Sequence, residues 1–206
     1  MELYFSPLAC SLASRVALYE AGVDVTYIQV DPTTKRLPDG ADYRETYGLG
    51  LVPALRTPDG VLLTENAAVL QYIDTLWHDA PRQPHELRRW LSFIGTELHK
   101  GVFAVLFDRR APTEAKAWAL AKAAPRLAHV DAHLRDREYL LDALSVADAY
   151  LYTVLNWTQA TPVDLTEYPA LRAFQARMAA RPQVARAFKD ELPLYRAEQA
   201  ARAATA

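Results

Sequence analysis

The first 77 residues alternate short apolar runs with stretches of helical spacing. Apolar runs bounded by turn-forming residues are typical of strands, and apolar positions three and four apart indicate a helix. Pro58-Asp59-Gly60 separates two such runs, which predicts a hairpin. The pattern therefore predicts the order β-α-β-(α)-β-β-α, with elements at residues 3–5, 11–21, 25–30, 31–50, 51–55, 61–63 and 64–77.

This order of elements predicts a small mixed sheet. A strand–helix–strand unit favours a parallel pair of strands, and a hairpin adds antiparallel ones. Residues 1–77 are therefore expected to form an α/β domain. Residues 78–85 contain two prolines and few apolar positions, which is typical of a linker between domains.

The patterns beyond this linker are helical. Along residues 87–105 the apolar positions recur at spacings of four and three, which indicates a long amphipathic helix. Ser145-Val146-Ala147-Asp148 resembles a capping box and predicts a helix at residues 149–159. Further helices are expected from residue 112 onward, at 169–180 and at 182–192, so that residues 86–206 form an all-helical domain.

Length and charge narrow the possible functions. With 206 residues the chain can bury a core without disulfides or metals, and 51% of the residues are hydrophobic. A net charge of -2 and a pI of about 6.2 argue against a nucleic-acid partner, since such domains usually carry a basic patch. The sequence has no apolar run long enough for a membrane span and no signal-peptide pattern at Met1, so the chain is expected in the cytoplasm.

Cys10 is the one cysteine in the sequence, which excludes an intrachain disulfide and a cysteine-rich zinc site. Because Ala13 stands three positions later, a C-x-x-C redox pair is excluded as well. His129 and His133 lie one helical turn apart, as in a metal pair, but no third ligand is near them in the sequence. No metal site is therefore predicted.

Cys10 lies where the first predicted strand gives way to the first predicted helix. Backbone N–H groups at a helix N-terminus stabilise a thiolate, which would make Cys10 reactive, although a free cysteine is often an inert buried residue. Ser11 could cap the helix or donate its hydroxyl to a ligand sulfur. The residues alone leave both pairs of alternatives open.

Five segments together resemble the bacterial beta-class glutathione S-transferases. They follow the order of that family and span nearly the whole chain, so the combination is specific although each segment alone is not. The segments are residues 6–13, 51–55, 63–66, 96–101 and 147–150.

The resemblance implies a thioredoxin-like N-terminal domain followed by a helical-bundle C-terminal domain, in an enzyme that forms a homodimer. It implies that glutathione is bound and conjugated through its thiolate to a hydrophobic electrophile, without a metal or a tightly held organic cofactor. Two alternatives remain: thiol transfer or peroxide reduction through a mixed disulfide at Cys10, and a non-enzymatic carrier of apolar ligands. Candidates for the wall of an electrophile pocket, or for plain core, are Phe103, Phe107, Trp118 and Trp157.

The resemblance also assigns roles near the sulfur of glutathione. It implies that Cys10 and His99 meet that sulfur, with Ser11 as the substitute for Cys10. Glu97 is implied to reach the γ-glutamyl ammonium of glutathione on the partner subunit.

The remaining implied contacts hold the rest of the tripeptide. Pro53 is expected to follow a cis bond, which frees the backbone N–H and C=O of Val52 to pair with the cysteinyl part of glutathione. Asn66 and Glu65, at a helix N-terminus, are implied to bind the γ-glutamyl carboxylate and ammonium respectively. Lys35 is the candidate for the glycyl carboxylate. At one of these positions the chain departs from the family, because Asn66 stands where Ser or Gly is usual.

Overall fold

The computed structural model describes residues 1–77 and 83–204. Within these ranges the chain divides into two compact units, one formed by residues 1–77 with residues 181–204 and the other by residues 83–180. The predicted linker, residues 78–85, falls largely outside the described residues, so the domain boundaries at 77 and 86 stay predictions. The grouping of residues 181–204 with the first unit differs from the expectation that one helical domain takes everything after the linker.

The first unit is built on a four-stranded mixed sheet. Its strands are β1 (Glu2–Phe5), β2 (Thr26–Gln29), β3 (Ala54–Arg56) and β4 (Leu62–Thr64). Strand β1 pairs parallel with β2 and antiparallel with β3, and β3 pairs antiparallel with β4, which gives the spatial order β2-β1-β3-β4. The predicted α/β class and the mixed sheet are confirmed.

Both faces of this sheet are covered. The helices that pack on it are α1 (Ser11–Glu20) and α2 (Asn66–Asp74). Because side chains alternate along a strand, Leu3 and Tyr4 of β1 face opposite sides of the sheet, and both are buried. Tyr4 shares a core cluster with Tyr43 and Ala54, and the rings of Tyr4 and Tyr43 stack with their centroids 5.2 Å apart. The long loop between β2 and β3 therefore covers the face on which Tyr4 lies.

That loop holds the short helix that the sequence allowed for residues 31–50. It is a single 3₁₀ turn, Tyr43–Glu45, and Asp42 caps it by accepting a hydrogen bond from the backbone N–H of Arg44 at 3.0 Å. An aspartate at this position is a usual cap, since its short side chain reaches the orphan amides of the first turn.

The third strand begins later than the sequence predicts. The apolar run at residues 51–55 predicts a strand from Leu51, but β3 begins at Ala54. Leu51 is 46% exposed and the Val52–Pro53 peptide bond is cis, as the resemblance implies. Proline has no N–H to give to a strand ladder, so the first three residues of this run lie outside the sheet.

The second unit is helical throughout, which confirms the predicted all-helical second part of the fold. A continuous rod consists of α3 (Pro84–Phe93), a π-helical segment at Ile94–Phe103 and α4 (Ala104–Phe107). It is followed by α5 (Thr113–Leu134), α6 (Val146–Asn156), a 3₁₀ turn at Trp157–Ala160 and α7 (Pro169–Ala179). The sequence predicts the rod but not its π segment, because apolar spacings of three and four do not distinguish i→i+5 from i→i+4 hydrogen bonds.

Helix α6 is held at its start by a fully buried carboxylate. The Asp148 carboxylate accepts hydrogen bonds from the backbone N–H groups of Leu140 and Ser145 and from the Ser145 hydroxyl, each at 2.8 Å. Burial raises the pKa of Asp148 to about 6, and these hydrogen bonds oppose that shift. The capping box is therefore present as predicted, and the helix begins at Val146, three residues before the expected start.

Helix α8 (Pro182–Ala204) lies along α1 in the first unit. The sequence predicts its end at residue 192, because Pro193 removes a helical hydrogen bond. The helix instead continues through Pro193, which is exposed. Although α8 is 23 residues long, neither it nor another helix in the described part of the chain is apolar enough to cross a membrane.

Candidate functional site

Cys10 stands at the N-terminal end of α1, directly after the turn that leaves β1. Its thiol donates a hydrogen bond to the backbone carbonyl of Val52 at 3.2 Å, and the side chain is partly exposed. Two residues that the sequence analysis selected are thus brought together, although they lie 42 positions apart. A partly exposed thiol at a helix N-terminus has the environment in which cysteines react.

Ser11 does not share that exposure. Its hydroxyl donates to the carbonyl of Ser6 at 3.1 Å and accepts from the N–H of Ser6 at 3.2 Å, and the residue is fully buried. The cap position of α1 belongs to Cys10. The hydroxyl of Ser11 therefore holds the turn before Cys10 together, and the structure does not bring it to a surface where a ligand sulfur could meet it.

The segment before Pro53 is fixed by a tyrosine that the sequence analysis did not select. The hydroxyl of Tyr43, a fully buried residue, donates to the backbone carbonyl of Leu51 at 3.0 Å. Together with the bond from Cys10 to Val52, this bond sets the path of the chain into the cis peptide. Only the tertiary pairing reveals Tyr43, since in the sequence it is one apolar position in a polar loop.

Among residues 1–77 and 83–204, three residues other than glycine adopt left-handed backbone conformations, with φ of 57° at Leu8, 60° at Lys35 and 67° at Glu65. Such conformations cost roughly 1–3 kcal/mol each and occur most often at ligand sites. Leu8 precedes Cys10 by two positions, and Glu65 precedes α2. Two of the three, Lys35 and Glu65, are positions for which the sequence predicts ligand contacts.

Asn66 presents a buried donor at the start of α2. The residue is only 7% exposed, and its Oδ1 accepts a hydrogen bond from the Ser14 hydroxyl at 3.2 Å. Its Nδ2 is buried and has no hydrogen-bond partner among the described residues. A buried donor without a partner costs roughly 1–3 kcal/mol, and a helix N-terminus attracts anions. This corner of the unit thus has the properties of a carboxylate site, and the exposed Glu65 stands beside it.

Lys35 is held by its own loop. The backbone carbonyl of Lys35 accepts from the N–H of Tyr43 at 2.9 Å, and its aliphatic stem lies over Gly50. A Cβ at Gly50 would lie 3.2 Å from Cδ of Lys35, and Gly50 has φ of 60°, so only glycine suits the position. Burial lowers the pKa of Lys35, while the nearby Asp31 opposes that shift.

A buried ion pair connects α1 with α8. Nε of Arg15 donates to Oε1 of Glu191 at 2.7 Å, and the two side chains are 5% and 0% exposed. The Arg15 guanidinium also lies over the rings of Phe5 and Tyr27, with its carbon 4.3 and 3.9 Å from their centroids. Burial raises the pKa of Glu191, and the charge of Arg15 and the bonds that it receives oppose this.

The second oxygen of Glu191 connects this pair to the turn before Cys10. Oε2 accepts from the backbone N–H of Leu8 at 2.7 Å. Glu191 therefore holds Leu8 in its left-handed conformation from a position 183 residues away. The sequence analysis did not select Glu191, because a lone glutamate in a helix gives no signal of burial.

His99 lies in the π-helical segment of the second unit. Its Nδ1 is hydrogen-bonded to the hydroxyl of Tyr150 at 2.7 Å, and its ring meets the Trp157 ring edge-on with centroids 5.0 Å apart. Burial, together with a smaller contribution from the positive charge of Lys100, lowers the pKa of His99 to about 4. The imidazole is therefore neutral at physiological pH.

Gly101 permits the π-helical turn that carries His99. A Cβ on Gly101 would lie 2.8 Å from the backbone carbonyl oxygen of Thr96, which is closer than real Cβ contacts. Any larger residue there would force this turn to open. π-Helical turns occur frequently at functional sites.

Glu97 already has a partner within the chain. Nε of Arg126, on α5, donates to Oε2 of Glu97 at 2.8 Å, and the same guanidinium makes a second bond to that oxygen. The resemblance implies that Glu97 binds the γ-glutamyl ammonium of a glutathione held by the other subunit. That contact stays a prediction; within the chain, the bonds from Arg126 join the π segment to α5.

Aromatic rings gather beside His99. Phe103 and Phe107 both meet Trp157 edge-on, with centroids 5.7 and 5.8 Å away. Phe103 is buried, whereas Phe107 is 44% exposed, so this cluster forms part of the core and part of an apolar surface. Trp118 is separate, because it is 60% exposed and lies under the ammonium of Lys122.

The histidine pair on α5 has a different environment. Nε2 of His133 is hydrogen-bonded to the carbonyl of Leu140 at 2.9 Å, and its ring lies against Trp90. Over residues 1–77 and 83–204, no group of three or more His, Cys, Asp or Glu side chains is arranged to hold a metal ion.

Comparison with known proteins gives one family for both parts of the chain. Residues 9–76 match the model of the glutathione S-transferase N-terminal domain, and residues 90–182 match that of the C-terminal domain. The chain is 40% identical over 199 residues to glutathione S-transferase GstA of Escherichia coli O157:H7, covering 93% of this chain and 98% of that protein.

Solved structures give the same result. A sphingomonad glutathione S-transferase complexed with glutathione is 39% identical, with a TM-score of 0.87 over 93% of this chain and 98% of that one. A bacterial beta-class glutathione S-transferase of Sphingomonas chungbukensis is similar to the same extent, with 39% identity, a TM-score of 0.87 and the same coverage.

The ion pair between α1 and α8 gives the first testable prediction. Glu191→Gln keeps the shape of the side chain but leaves Arg15 buried without its counter-charge, and we expect a loss of about 3–5 kcal/mol in the free energy of unfolding. Urea unfolding followed by circular dichroism measures this loss. The control is Glu198→Gln in the same helix, whose partly buried carboxylate bonds Gln29 and Arg202, and which should cost about 1 kcal/mol or less. Equal losses in the two variants would contradict the structural role of Glu191.

The second prediction concerns pH. The pKa of His99 is about 4 in the folded chain, against an ordinary value of 6.5, so the folded state binds fewer protons between these values. The stability contributed by neutral His99 is therefore complete above about pH 6.5 and declines as the pH falls toward 4. On acidification from pH 7 to pH 5 we expect the chain to lose about 1–2 kcal/mol more stability than the variant His99→Gln.

Urea unfolding at the two pH values measures this difference. The variant His85→Gln, at an exposed position, is measured in parallel as a control for replacing a histidine by glutamine. Parallel losses in the chain and in His99→Gln would show that His99 does not titrate as its environment requires.

Proposed function

Because the chain belongs to the glutathione S-transferase family, in its bacterial beta class, we propose that it conjugates glutathione to hydrophobic electrophiles. The observation that carries the proposal is the unpartnered Nδ2 of Asn66 at the N-terminus of α2, in the same unit as the partly exposed thiol of Cys10. This buried N–H donor needs an acceptor, which an anionic ligand group would supply, and glutathione has a carboxylate at each end. The related sphingomonad enzyme was solved in complex with glutathione.

The ends of glutathione are assigned by charge. Its γ-glutamyl carboxylate accepts hydrogen bonds from Nδ2 of Asn66 and from the N-terminus of α2, and Glu65 binds the γ-glutamyl ammonium. Lys35 pairs with the glycyl carboxylate. Between the two ends, the backbone of Val52 before the cis bond to Pro53 pairs with the cysteinyl residue.

The sulfur of glutathione is the nucleophile. A free thiol has a pKa of about 8.5, so only a few per cent is ionised at neutral pH. The thiol of Cys10 and the backbone N–H groups at the N-terminus of α1 stabilise the glutathione thiolate, and the neutral imidazole of His99 is the second side chain that does so. The proton of the glutathione thiol passes to solvent. The thiolate then forms a carbon–sulfur bond to the electrophile, whose leaving group departs with the electron pair. Holding both reactants together lowers the entropic cost of the encounter.

The second substrate is apolar in this proposal. The exposed edge of Phe107, against Trp157, supplies a surface that favours an aromatic or aliphatic electrophile over a charged one. We further propose a homodimer in the cytoplasm, where glutathione is kept reduced. The exposed apolar side chains Leu49, Leu51 and Val61 support contact with a second copy.

The third prediction tests the binding of glutathione. Asn66→Leu removes the donor at the start of α2, and we expect the dissociation constant for glutathione in isothermal titration calorimetry to rise about tenfold or more. The matched control is Gln71→Leu, which removes an amide from the same helix whose donor already serves the carbonyl of Ala67. The control should bind as tightly as the unaltered chain. If the unaltered chain binds no glutathione, the proposed function is wrong.

The fourth prediction separates conjugation from the alternatives. Cys10→Ser keeps a hydrogen-bond donor beside Val52 but removes the sulfur, so conjugation of glutathione to chlorodinitrobenzene should persist within about tenfold. Exchange with a glutathione mixed disulfide should disappear. If conjugation falls to background while the unaltered chain reduces peroxides or disulfides, the mixed-disulfide function is favoured instead. Ligand binding without turnover across a panel of electrophiles would favour a carrier.

A further inference from the structure

The hydrogen bond between His99 and Tyr150 bears on the position of the imidazole ring and also on which of its nitrogens carries the proton. An imidazole carries its single proton on either Nδ1 or Nε2 when neutral, and the hydrogen bond made by one nitrogen decides which. Here Nδ1 is 2.7 Å from the Tyr150 hydroxyl. The direction of this one hydrogen bond therefore fixes what the other nitrogen, Nε2, offers to a ligand.

Two arguments give the direction of that bond. Hydrogen bonds that an O–H donates to oxygen have their most common distance at 2.7–2.8 Å, whereas those from N–H to oxygen have it near 2.9–3.0 Å. The observed 2.7 Å fits a hydroxyl donor. A phenol is also a much stronger acid than a neutral imidazole N–H, and an imidazole nitrogen is a better acceptor than a phenol oxygen. The favourable pairing has Tyr150 donating to Nδ1.

The surroundings keep Tyr150 in place. The residue is 2% exposed and lies two positions after Asp148, whose capping box fixes the start of α6. Gly95, on the facing rod, lies beside the hydroxyl, and a Cβ there would make an ordinary contact of 3.6 Å with the Tyr150 oxygen. The edge of the Trp157 ring restrains the imidazole from another side.

We propose that Tyr150 is a positioning residue, which holds His99 in the tautomer with its proton on Nε2 and so makes the ring a hydrogen-bond donor to an anionic ligand group. The low basicity of this buried imidazole agrees with such a role, since it is poorly suited to remove a proton. For the reaction, the inference rests on the proposed function: the donor would face the glutathione thiolate and stabilise it. The tautomer itself is a property of the chain without ligand.

The tautomer can be measured directly at pH 7 on ¹⁵N-labelled protein, through the long-range proton–nitrogen couplings of the imidazole rings. His99→Gln assigns the His99 signals by removing them. We expect Nδ1 to show the shift of an unprotonated nitrogen and Nε2 that of a protonated one. The opposite pattern would overturn the proposal, whether or not the chain binds glutathione, and this measurement needs no substituted Tyr150.

Substitution at Tyr150 then tests the consequence. In Tyr150→Phe we expect the His99 nitrogens to shift toward a mixture of tautomers, and kcat/KM for glutathione conjugation to fall roughly tenfold, with the dissociation constant of glutathione nearly unchanged. Tyr152→Phe removes a phenol hydroxyl from the same helix and should alter neither quantity. Unchanged nitrogen shifts in a folded Tyr150→Phe would show that Tyr150 does not select the tautomer.

The outcomes separate the inference from the function on which it partly rests. A His99 proton on Nε2 together with an absence of conjugation would remove the proposed function but leave the role of Tyr150 in place. A proton on Nδ1 together with normal conjugation would remove the role of Tyr150 alone. Loss of the tautomer in Tyr150→Phe without loss of kcat/KM would show that the donor does not act on the thiolate.

Discussion

The buried pair of Arg15 and Glu191 is the interaction on which the geometry of the first unit depends. Two charges removed from water are stable only when they are paired and hydrogen-bonded, and here Arg15 donates to Glu191 and to the Tyr19 hydroxyl. The guanidinium of Arg15 lies over the Phe5 and Tyr27 rings, and the second carboxylate oxygen of Glu191 accepts a hydrogen bond from the backbone N–H of Leu8. The last helix of the chain thereby determines the conformation of the turn that precedes Cys10.

The general fold could be predicted because its signals are local. The Pro58-Asp59-Gly60 turn, the apolar spacing along the rod and the capping box at Ser145 each act within one element. The predicted bounds of β3 and α8 were wrong, because local composition does not determine where either element begins or ends. The apolar run from Leu51 has the composition of a strand, yet its first residues lie outside the sheet, at the cis peptide between Val52 and Pro53. At Pro193, solvent exposure allowed a helix to continue where local chemistry favoured an end.

The candidate site was predictable only in part, for a related reason. Cys10, Val52 and Asn66 belong to short motifs, so a resemblance could select them, and the structure shows Cys10 bonded to Val52. Ser11 and Glu97 also belong to motifs, but a motif cannot show that the Ser11 hydroxyl is bonded to Ser6 or that one carboxylate oxygen of Glu97 is bonded to Arg126. The residues that support the site, Tyr43, Tyr150 and Glu191, act on partners reached through tertiary contact. No periodicity or spacing distinguishes them from ordinary buried residues.

The π-helical segment around His99 also affects how this chain can change in evolution. A helix closed by i→i+5 bonds holds more residues in each turn than an α-helix, so it is equivalent to an insertion that the rod has absorbed without breaking. Loss of one residue here would be tolerated by the backbone, which would relax to ordinary α-helix. The flanking α-helical turns would stay in register, but the side chains within the segment itself would change direction. Descendants with a shortened rod would therefore keep their architecture while His99 pointed elsewhere, and a comparison by length alone would not reveal it.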